Sequence, residues 1–342
     1  MLVIIADDLT GALDTAAPFA ARGLHTQVAL TPDATEKALA LRPDILSINL
    51  ASRDKQSVEA QQAMLKLIAH LPSGVRLFKK VDSRLKGHIA AELDAIQYSH
   101  ALVAPAIPAF GRVVKEGHVD GFGVTEPISI ADALSHHVER STIPEVTTQE
   151  DLLSALEICD SGSVDLLVGA RGLAEALATR ITQNAEGELV APPGGQGLFV
   201  IGSYDTITVD QVEQLRQLKD VAYRPAPNGI MGDVSATSSP LVLVRATEDS
   251  VRVASDEVAA NLAQSVHPEL TAQAKTLLLC GGATAEVVLA RMGVTCFRLE
   301  GECLPGLGLA YAKGQCIILK SGGFGEPDTL AKLATQIIDG RS

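Results

Sequence analysis

The sequence has too little positive charge to suggest a polyanionic partner. Its 342 residues carry 28 Lys and Arg against 41 Asp and Glu, a formal net charge of −13. No run of Lys or Arg is longer than a pair. Because nucleic acids and anionic membrane surfaces bind clustered cations, we expect neither as a partner. A small anionic ligand remains compatible with this composition, since a few local cations are enough to hold it.

Paired cysteines and long apolar runs are also missing. The number of cysteines is odd, and none of them show C-x-x-C spacing. This pattern suggests neither a disulfide framework nor a zinc knuckle, and it is compatible with free or buried thiols. They are Cys159, Cys280, Cys296, Cys303 and Cys316. No apolar run approaches the roughly 18 residues of a membrane span, and the N-terminus shows no signal-peptide pattern. These features predict a soluble cytoplasmic protein with reduced thiols.

Short apolar runs alternate with amphipathic stretches along the first half of the chain. Strands are predicted at 2–5, 26–30, 44–50, 75–81, 101–105 and 164–168. Helical spacing occurs at 34–40, 57–70, 89–99 and 173–181. This alternation predicts a doubly wound α/β domain with a parallel sheet. Between 105 and about 127 the pattern loosens, and we expect a long loop there that forms part of the functional site.

A second alternating series follows the Pro- and Gly-rich stretch 191–197, which is typical of an interdomain connection. Strands are predicted at 198–201, 241–244, 276–279, 295–299 and 315–319. Helices are predicted at 209–218, 255–265, 284–292 and 328–338. We therefore expect two domains, 1–192 and 198–342, each a largely parallel sheet flanked by helices.

Two carboxylates and a threonine come directly after the first predicted strand. They are Asp7, Asp8 and Thr10. In open α/β sheets ligands bind at the carboxyl ends of the strands, which makes these residues candidates for a site. Asp and Thr also commonly cap helices, so a purely structural turn is the alternative interpretation.

A basic cluster follows another predicted strand, in the segment 79–87, KKVDSRLKG. In an acidic protein such a cluster would suit a substrate that carries a carboxylate, with Asp82 available as a base. A solvated charged turn is equally compatible with the sequence. Arg112, in the following loop, could hold a carboxylate through its planar guanidinium group.

Glycine-rich turns follow three predicted strands of the second half: 202–203, 281–282 and 320–325. Glycine lets the backbone approach a phosphate closely, so three such turns predict a nucleotide phosphate site, although each alone could be an ordinary tight turn. Neither a Walker A motif nor a protein-kinase signature is present, and 306–311 fails the dinucleotide fingerprint. The adjacent His136 and His137 are not expected to face one metal ion from neighbouring helical positions.

Taken in order, these motifs resemble the four-carbon acid sugar kinases, which phosphorylate threonate, erythronate or 3-oxo-tetronate type acids with ATP. The segment 6–12, ADDLTGA, looks like that family's A-D-D-[FL]-T-G-A. Residues 79–87 look like its K-K-x-D-S-T-L-R-G. The segment 105–117 is similar to its P-A-x-P…G-R…G, and 320–325 matches its K-x-G-G-F-G.

The resemblance implies a sugar acid bound by the N-terminal domain, ATP with Mg²⁺ bound by the C-terminal domain, and an active site in the cleft between them. Asp8 or Asp82 would then be the catalytic base. The expected substrate-binding residues are Asp7, Thr10, Ser83, Arg84, Lys86 and Arg112. The expected nucleotide-binding residues are Gly202, Ser203, Gly281, Gly282, Thr284, Gly322, Gly323 and Gly325.

The sequence departs from the family pattern at several of these positions. Ala283 stands where the pattern has an acid, and Glu286, one helical turn further on, is the expected magnesium ligand. Tyr204 and Asp205 replace the usual Cys-Ser pair of G-S-C-S. The substrate motif has Arg and Lys in place of Thr and Arg. Two alternatives therefore stay open: a kinase of another small hydroxy acid, and a non-catalytic ligand-binding or regulatory descendant. A homo-oligomer is possible.

Overall fold

The computed structural model describes residues 1–158, 162, 164–232, 239–251 and 253–340. The chain divides into two compact units, residues 1–187 and 188–342. Cys280, Cys296, Cys303 and Cys316 form no disulfide, as predicted, whereas Cys159 lies outside the described residues. Within the described part of the chain, no helix is both long enough and apolar enough to cross a membrane.

The first unit is built on a parallel sheet. In spatial order the strands that the structure describes are β2 (Thr26–Ala29), β3 (Ile45–Asn49), β1 (Leu2–Ala6), β4 (Arg76–Lys80), β10 (Leu166–Gly169), β5 (Ala101–Ala104) and β9 (Ser141–Thr142). All five residues of the central strand β1 are buried, as expected when helices cover both faces of a parallel sheet.

The helices of this unit connect successive strands. They are α1 (Leu9–Ala20), α2 (Thr35–Leu39), α3 (Ser57–Ala69), α4 (Ile89–Leu93), α5 (Ile130–Leu134), α6 (Gln149–Glu157) and α7 (Arg171–Thr182). Shorter 3-10 helices occur at Pro32–Ala34, Pro108–Phe110 and Ser135–Arg140.

The prediction of a long loop from 105 to about 127 is wrong. Its central part folds into antiparallel strands β6 (Arg112–Lys115) and β7 (His118–Gly121), and β7 also pairs with β8 (Ile128–Ser129). Glu116 and Gly117 connect β6 to β7 with φ angles of 48° and 71°. Two consecutive positive φ values match the twist of a two-residue hairpin, and Glu-Gly is a weaker sequence signal for this turn than Asn-Gly.

The second unit also contains a mostly parallel sheet. In spatial order its described strands are β12 (Val221–Pro227), β13 (Leu241–Thr247), β11 (Gly197–Ile201), β14 (Thr276–Cys280), β17 (Gln315–Lys320), β16 (Leu307–Ala312) and β15 (Cys296–Leu304). The strands from β12 to β17 in this order are parallel, and β16 is antiparallel to both of its neighbours.

The described helices of the second unit are α8 (Thr206–Leu215), α9 (Ser255–Val266), α10 (Gly282–Arg291) and α11 (Thr329–Asp339). Its core packs residues of the central strands, such as Phe199, Leu278 and Ile318, against Leu330 and Ile337 of α11. The predicted fold class, two α/β domains with largely parallel sheets flanked by helices, is confirmed. Strands β12 and β16 were not predicted.

Candidate functional site

In the first unit, the predicted acidic residues lie at the carboxyl ends of neighbouring parallel strands. Strand β1 lies between β3 and β4, and Asp7 and Asp8 follow it directly. Asp82 follows β4 by two residues, and Arg53 follows β3 by four. The backbone N–H groups of Ser52 and Arg53 both donate to the carbonyl oxygen of Asp7, at 3.0 and 3.2 Å. The segments after β1 and β3 are thus joined.

Arg53 is the centre of this arrangement, and sequence reasoning missed it. Its Nε and Nη2 donate to the two carboxylate oxygens of Asp7, each at 2.8 Å, and its Nη1 donates to Oδ2 of Asp8 at 2.7 Å. The same Nη1 lies 4.0 Å from Oδ2 of Asp82. One guanidinium group therefore draws three carboxylates together. Its position after the third predicted strand was the only available signal.

These contacts determine the charge of Asp7, which is only 3% exposed. Burial alone would raise the pKa of its carboxyl group. The hydrogen bonds from Arg53 and the charges of Lys79, Arg53 and Lys80 outweigh burial, so this pKa lies below its ordinary value. The carboxylates also raise the pKa of Arg53. Asp7 is thus held as an anion that is already paired.

Asp8 caps helix α1, as the structural alternative for this segment predicted. Its Oδ1 accepts from the backbone N–H of Gly11 at 2.8 Å. Its Oδ2 accepts from the hydroxyl group of Thr10 at 2.7 Å, in addition to Arg53. The side chain of Asp8 therefore both caps helix α1 and pairs with Arg53 beside Asp7. The oxygens of Asp8 together accept three hydrogen bonds from within the protein.

Asp82 is less fully hydrogen-bonded than Asp8. Its Oδ1 accepts from the backbone N–H of Arg84 at 2.9 Å, and Oδ2 faces Arg53 at the longer distance given above. Ser83 is buried, whereas Arg84 and Lys86 are exposed. The turn therefore presents one carboxylate and two cations toward solvent.

The basic cluster of residues 79–87 does not act as one surface. Lys79 is 1% exposed, and its Nζ lies 2.7 Å from Oε2 of Glu92, which is also 1% exposed. The ammonium group of Lys79 also donates to the carbonyl oxygen of Lys80 at 2.7 Å. This lysine is therefore neutralised inside the first unit, and Arg84 and Lys86 are the exposed cations of the motif.

Arg112 begins strand β6 and reaches the turn after β4. Its Nη1 donates to Oγ of Ser83 at 2.6 Å, while Nε and Nη2 donate to the carbonyl oxygen of Phe122 at 3.1 and 2.7 Å. Burial and the nearby charge of Arg84 lower the pKa of Arg112, and Asp82 partly opposes this effect. The structure thus brings together the predicted residues of 82–84 and Arg112, although much of the guanidinium group is used on the backbone.

In the second unit, the three glycine turns lie side by side. They follow β11, β14 and β17, which are neighbours in that order and parallel to one another. A Cβ added to Gly322 would overlap the hydroxyl group of Ser203, and one added to Gly281 would lie 3.5 Å from the backbone nitrogen of Ser203. The turns therefore approach each other closely through positions without side chains. Such a surface of backbone groups fits a phosphate chain.

Two further predicted nucleotide-binding residues pack within this set of turns. Thr284 is buried, and a Cβ added to Gly202 would overlap its hydroxyl group. A Cβ added to Gly325 would lie 2.8 Å from Oγ1 of Thr329 and 3.0 Å from Nε2 of Gln211. Gln211 donates through the same nitrogen to the carbonyl oxygen of Phe324 at 3.1 Å. The last turn is thus held in place from helix α8.

A buried lysine underlies the turn after β17. Lys320 is 1% exposed, and its Nζ donates to the carbonyl oxygens of Ser321 at 3.0 Å and Gly322 at 3.3 Å. It also donates to Oγ1 of Thr208 at 3.2 Å. Burial lowers the pKa of Lys320, and the neighbouring Cys280 and Asp205 oppose that shift. This ammonium group supports the backbone of the turn.

The expected magnesium ligand, Glu286, lies half-buried in α10, while Ala283 is exposed in the first turn of that helix. Among the described residues, the carboxylate of Asp205 lies against the glycine turns. A Cβ added to Gly323 would lie 3.2 Å from its Oδ2. Sequence reasoning noticed Asp205 only as a departure from the family pattern.

The prediction that the adjacent His136 and His137 cannot face one metal ion is wrong in its geometry, because both rings face the carboxylate of Asp94. Both Nε2 atoms lie 3.0 Å from Oδ1 of Asp94, and the two residues belong to the 3-10 helix Ser135–Arg140. Nδ1 of His137 lies 2.9 Å from Nη2 of Arg140, which can only donate, so the proton of the neutral ring is on Nε2. The group is therefore a hydrogen-bonded cluster, and that nitrogen offers no lone pair to a metal.

Two family models match successive parts of this chain. A family model described as a sugar-binding N-terminal domain matches residues 2–128, and one described as a nucleotide-binding C-terminal domain matches residues 198–330. The D-threonate kinase of Bordetella bronchiseptica is 28% identical, covering 99% of this chain and 98% of that protein. The 3-oxo-tetronate kinase of Actinobacillus succinogenes is 23% identical, covering 96% and 97%.

The fold recurs in solved structures. A Salmonella typhimurium LT2 protein superimposes with a TM-score of 0.74 at 19% identity, covering 98% of both chains. A Haemophilus influenzae protein superimposes with a TM-score of 0.70, also at 19% identity. The matched domains define a class of proteins with a sugar-binding N-terminal domain and a nucleotide-binding C-terminal domain. Within that class, the chain belongs to the four-carbon acid sugar kinase family, which confirms the resemblance seen in its motifs.

Proposed function

We propose that this protein transfers the γ-phosphoryl group of ATP to a hydroxyl group of a four-carbon sugar acid such as threonate, erythronate or a 3-oxo-tetronate. The observation that carries the proposal is the placement of the motifs. The acidic motif and the basic motif lie at the carboxyl edge of the first sheet, and Arg53 contacts both, through Asp7 and Asp8 of the first and Asp82 of the second. Arg112 contacts the basic motif through Ser83, and the glycine motif lies at the carboxyl edge of the second sheet. Both edges are the usual position of ligands in such sheets.

In the proposed reaction, the substrate hydroxyl oxygen forms a bond to the γ-phosphorus while the bond from that phosphorus to the β,γ-bridging oxygen breaks. The hydroxyl proton passes to a carboxylate. Asp82 is the better acceptor, because its Oδ2 faces Arg53 only at 4.0 Å, whereas Asp8 already accepts three hydrogen bonds. Asp8 instead orients the site. Mg²⁺ supplies charge neutralisation on the phosphates when it is bound.

The substrate carboxylate requires cations near this base. We assign this role to three cations. Arg84 and Lys86 are exposed, and Arg112 donates a hydrogen bond to Ser83. Asp7 acts through Arg53, which it orients with both oxygens, and Thr10 acts through Asp8.

The glycine turns are the proposed site of the ATP phosphates. Gly202, Ser203, Gly281 and Gly282 come from two turns, and Gly322, Gly323 and Gly325 from the third, where missing side chains leave room for a phosphate chain. Thr284 would hold the first turn in shape by packing on Gly202. Glu286 is the sequence-based candidate for a ligand of Mg²⁺.

A coupled ADP-release assay across D- and L-threonate, D- and L-erythronate and 3-oxo-tetronates tests the proposal. We expect turnover with at least one of them, dependent on ATP. Turnover only with other hydroxy acids would favour a different substrate class, to which the Arg84 and Lys86 departures point. Binding of a sugar acid without any turnover would favour a non-catalytic descendant.

A further inference from the structure

One acidic side chain lies against the glycine turns of the second unit. Asp205 is the N-cap of α8, and its Oδ1 accepts from the backbone N–H of Ile207 at 3.0 Å. Its backbone N–H donates to Oγ of Ser203 at 3.2 Å. The first bond holds one carboxylate oxygen on the end of the helix, the second holds the backbone of Asp205, and the other carboxylate oxygen lies beside the turn after β17.

Distances to the glycines opposite Asp205 locate its Oδ2 atom. A Cβ added to Gly323 would lie 3.2 Å from Oδ2, and one added to Gly322 would lie 3.3 Å from Cβ of Asp205. The residue is also exposed, so its carboxylate can be reached by a ligand in the turns. The neighbouring turn after β14 offers no acid, because its residues are Gly281, Gly282 and Ala283.

A carboxylate in this place opposes a bare triphosphate, since two anions at short range in a partly desolvated site repel each other. A divalent cation between them reverses the sign of the interaction. Mg²⁺ prefers oxygen ligands, keeps several of its waters, and is usually held by only one or two protein carboxylates together with phosphate oxygens. The donor set of Asp205 and a phosphate chain fits that preference.

We propose that Asp205 supplies the protein carboxylate for the magnesium of bound MgATP, directly or through one of the ion's waters, in the role that sequence reasoning gave to Glu286. The inference rests on the proposed function, since it requires a nucleotide at the glycine turns. Asp205 would then have two roles: it caps helix α8, and it makes nucleotide binding depend on magnesium.

The two roles can be separated by substitution. Asp205→Asn keeps an oxygen that can accept from Ile207, so the cap and the fold are retained, but it removes the charge. Asp210→Asn, an exposed carboxylate further along α8, is the matched control for lost charge. Glu286→Gln tests the competing ligand. Thermal melting of each variant checks that the fold is intact.

The measurement is the affinity for ADP and for a non-hydrolysable ATP analogue by titration calorimetry, in excess Mg²⁺ and in EDTA. We expect wild-type protein and Asp210→Asn to bind more tightly with Mg²⁺. Asp205→Asn should lose about 10- to 100-fold of that enhancement, as for a charge-assisted contact, while its affinity in EDTA stays equal or improves. Glu286→Gln should keep the enhancement.

Two results would overturn the inference, and they are distinguishable. If Asp205→Asn binds with the full magnesium enhancement, or if Glu286→Gln loses it instead, nucleotide binding stands but Asp205 is not the ligand. If wild-type protein binds no nucleotide with or without Mg²⁺, the proposed function fails and the inference fails with it.

Discussion

At the scale of single residues, Arg53 connects the acidic groups of the first unit. A guanidinium group suits this task because it is planar, always charged and donates along two directions at once. It pairs with both oxygens of Asp7 and with Asp8. Without it, two neighbouring carboxylates would repel each other at the end of β1, so the site depends on this residue even if Arg53 never touches a ligand.

We predict that Arg53→Met lowers the stability of the protein most strongly at neutral pH. The pKa of Asp7 is depressed in the folded state, so its ion pair contributes stability above the ordinary value of 3.8 and loses it as pH falls through the lower folded value. Melting temperatures measured from pH 7 downward should therefore converge for wild type and variant in acid. A constant difference down to pH 2 would contradict this account of Asp7.

We predict that Asp82→Asn chiefly lowers kcat and leaves the KM for the sugar acid almost unchanged. Loss of a general base typically costs about 10²- to 10⁴-fold. Asp8→Asn should cost less, because Asn still caps α1 and the base is still present. Asp33→Asn, at an exposed position in a 3-10 helix, is the control. If Asp8→Asn proves the more damaging of the two in steady-state kinetics, the assignments are reversed.

At the scale of elements, three parallel strands that end in glycine turns form the nucleotide candidate site. Their adjacency is a property of the sheet order β11-β14-β17, which the chain order does not reveal. Lys320 then stabilises the last turn from beneath through the carbonyl oxygens of Ser321 and Gly322. Buried groups therefore determine the shape of the turns. Backbone atoms form their exposed surface.

We predict that Gly323→Val weakens nucleotide binding about 10-fold or more while the melting temperature changes little. Gly323 has no positive φ, so a side chain is tolerated by the backbone, but a branched one meets Oδ2 of Asp205 and obstructs the approach of a phosphate. Gly232→Val is a suitable control, because a Cβ there has no neighbour within 4 Å among the residues that the structure describes. Equal nucleotide affinity in wild type and Gly323→Val would remove this turn from the site.

The elements also show where sequence reasoning succeeds and where it stops. Continuous apolar runs such as Leu2–Ala6 predicted the buried parallel strands, because burial on both faces needs no other signal. Strand β12 was missed, since its residues are mostly half-buried and include two prolines. Arg53 was not singled out, and Asp205 was noticed only as a departure from the family pattern, because their contacts are with distant segments of the chain, which no local pattern records.

At the scale of the whole molecule, the chain consists of two compact units with different candidate ligands. The first carries carboxylates and exposed cations at its sheet edge, and the second carries backbone turns without side chains. A ligand that binds one folded unit stabilises that unit by mass action. Each ligand should therefore stabilise a different set of residues along the chain.

We predict that amide hydrogen exchange separates the two ligands. The non-hydrolysable ATP analogue with Mg²⁺ should slow exchange at 202–206, 281–285 and 320–325, where backbone N–H groups would meet phosphate oxygens. A sugar acid alone should slow exchange at 7–11 and 82–86 instead. The Gly323→Val variant provides the control, since it should lose the first pattern and keep the second. Protection of 7–11 by the nucleotide alone, with 320–325 unaffected, would place the nucleotide in the first unit and reverse the proposed roles of the domains.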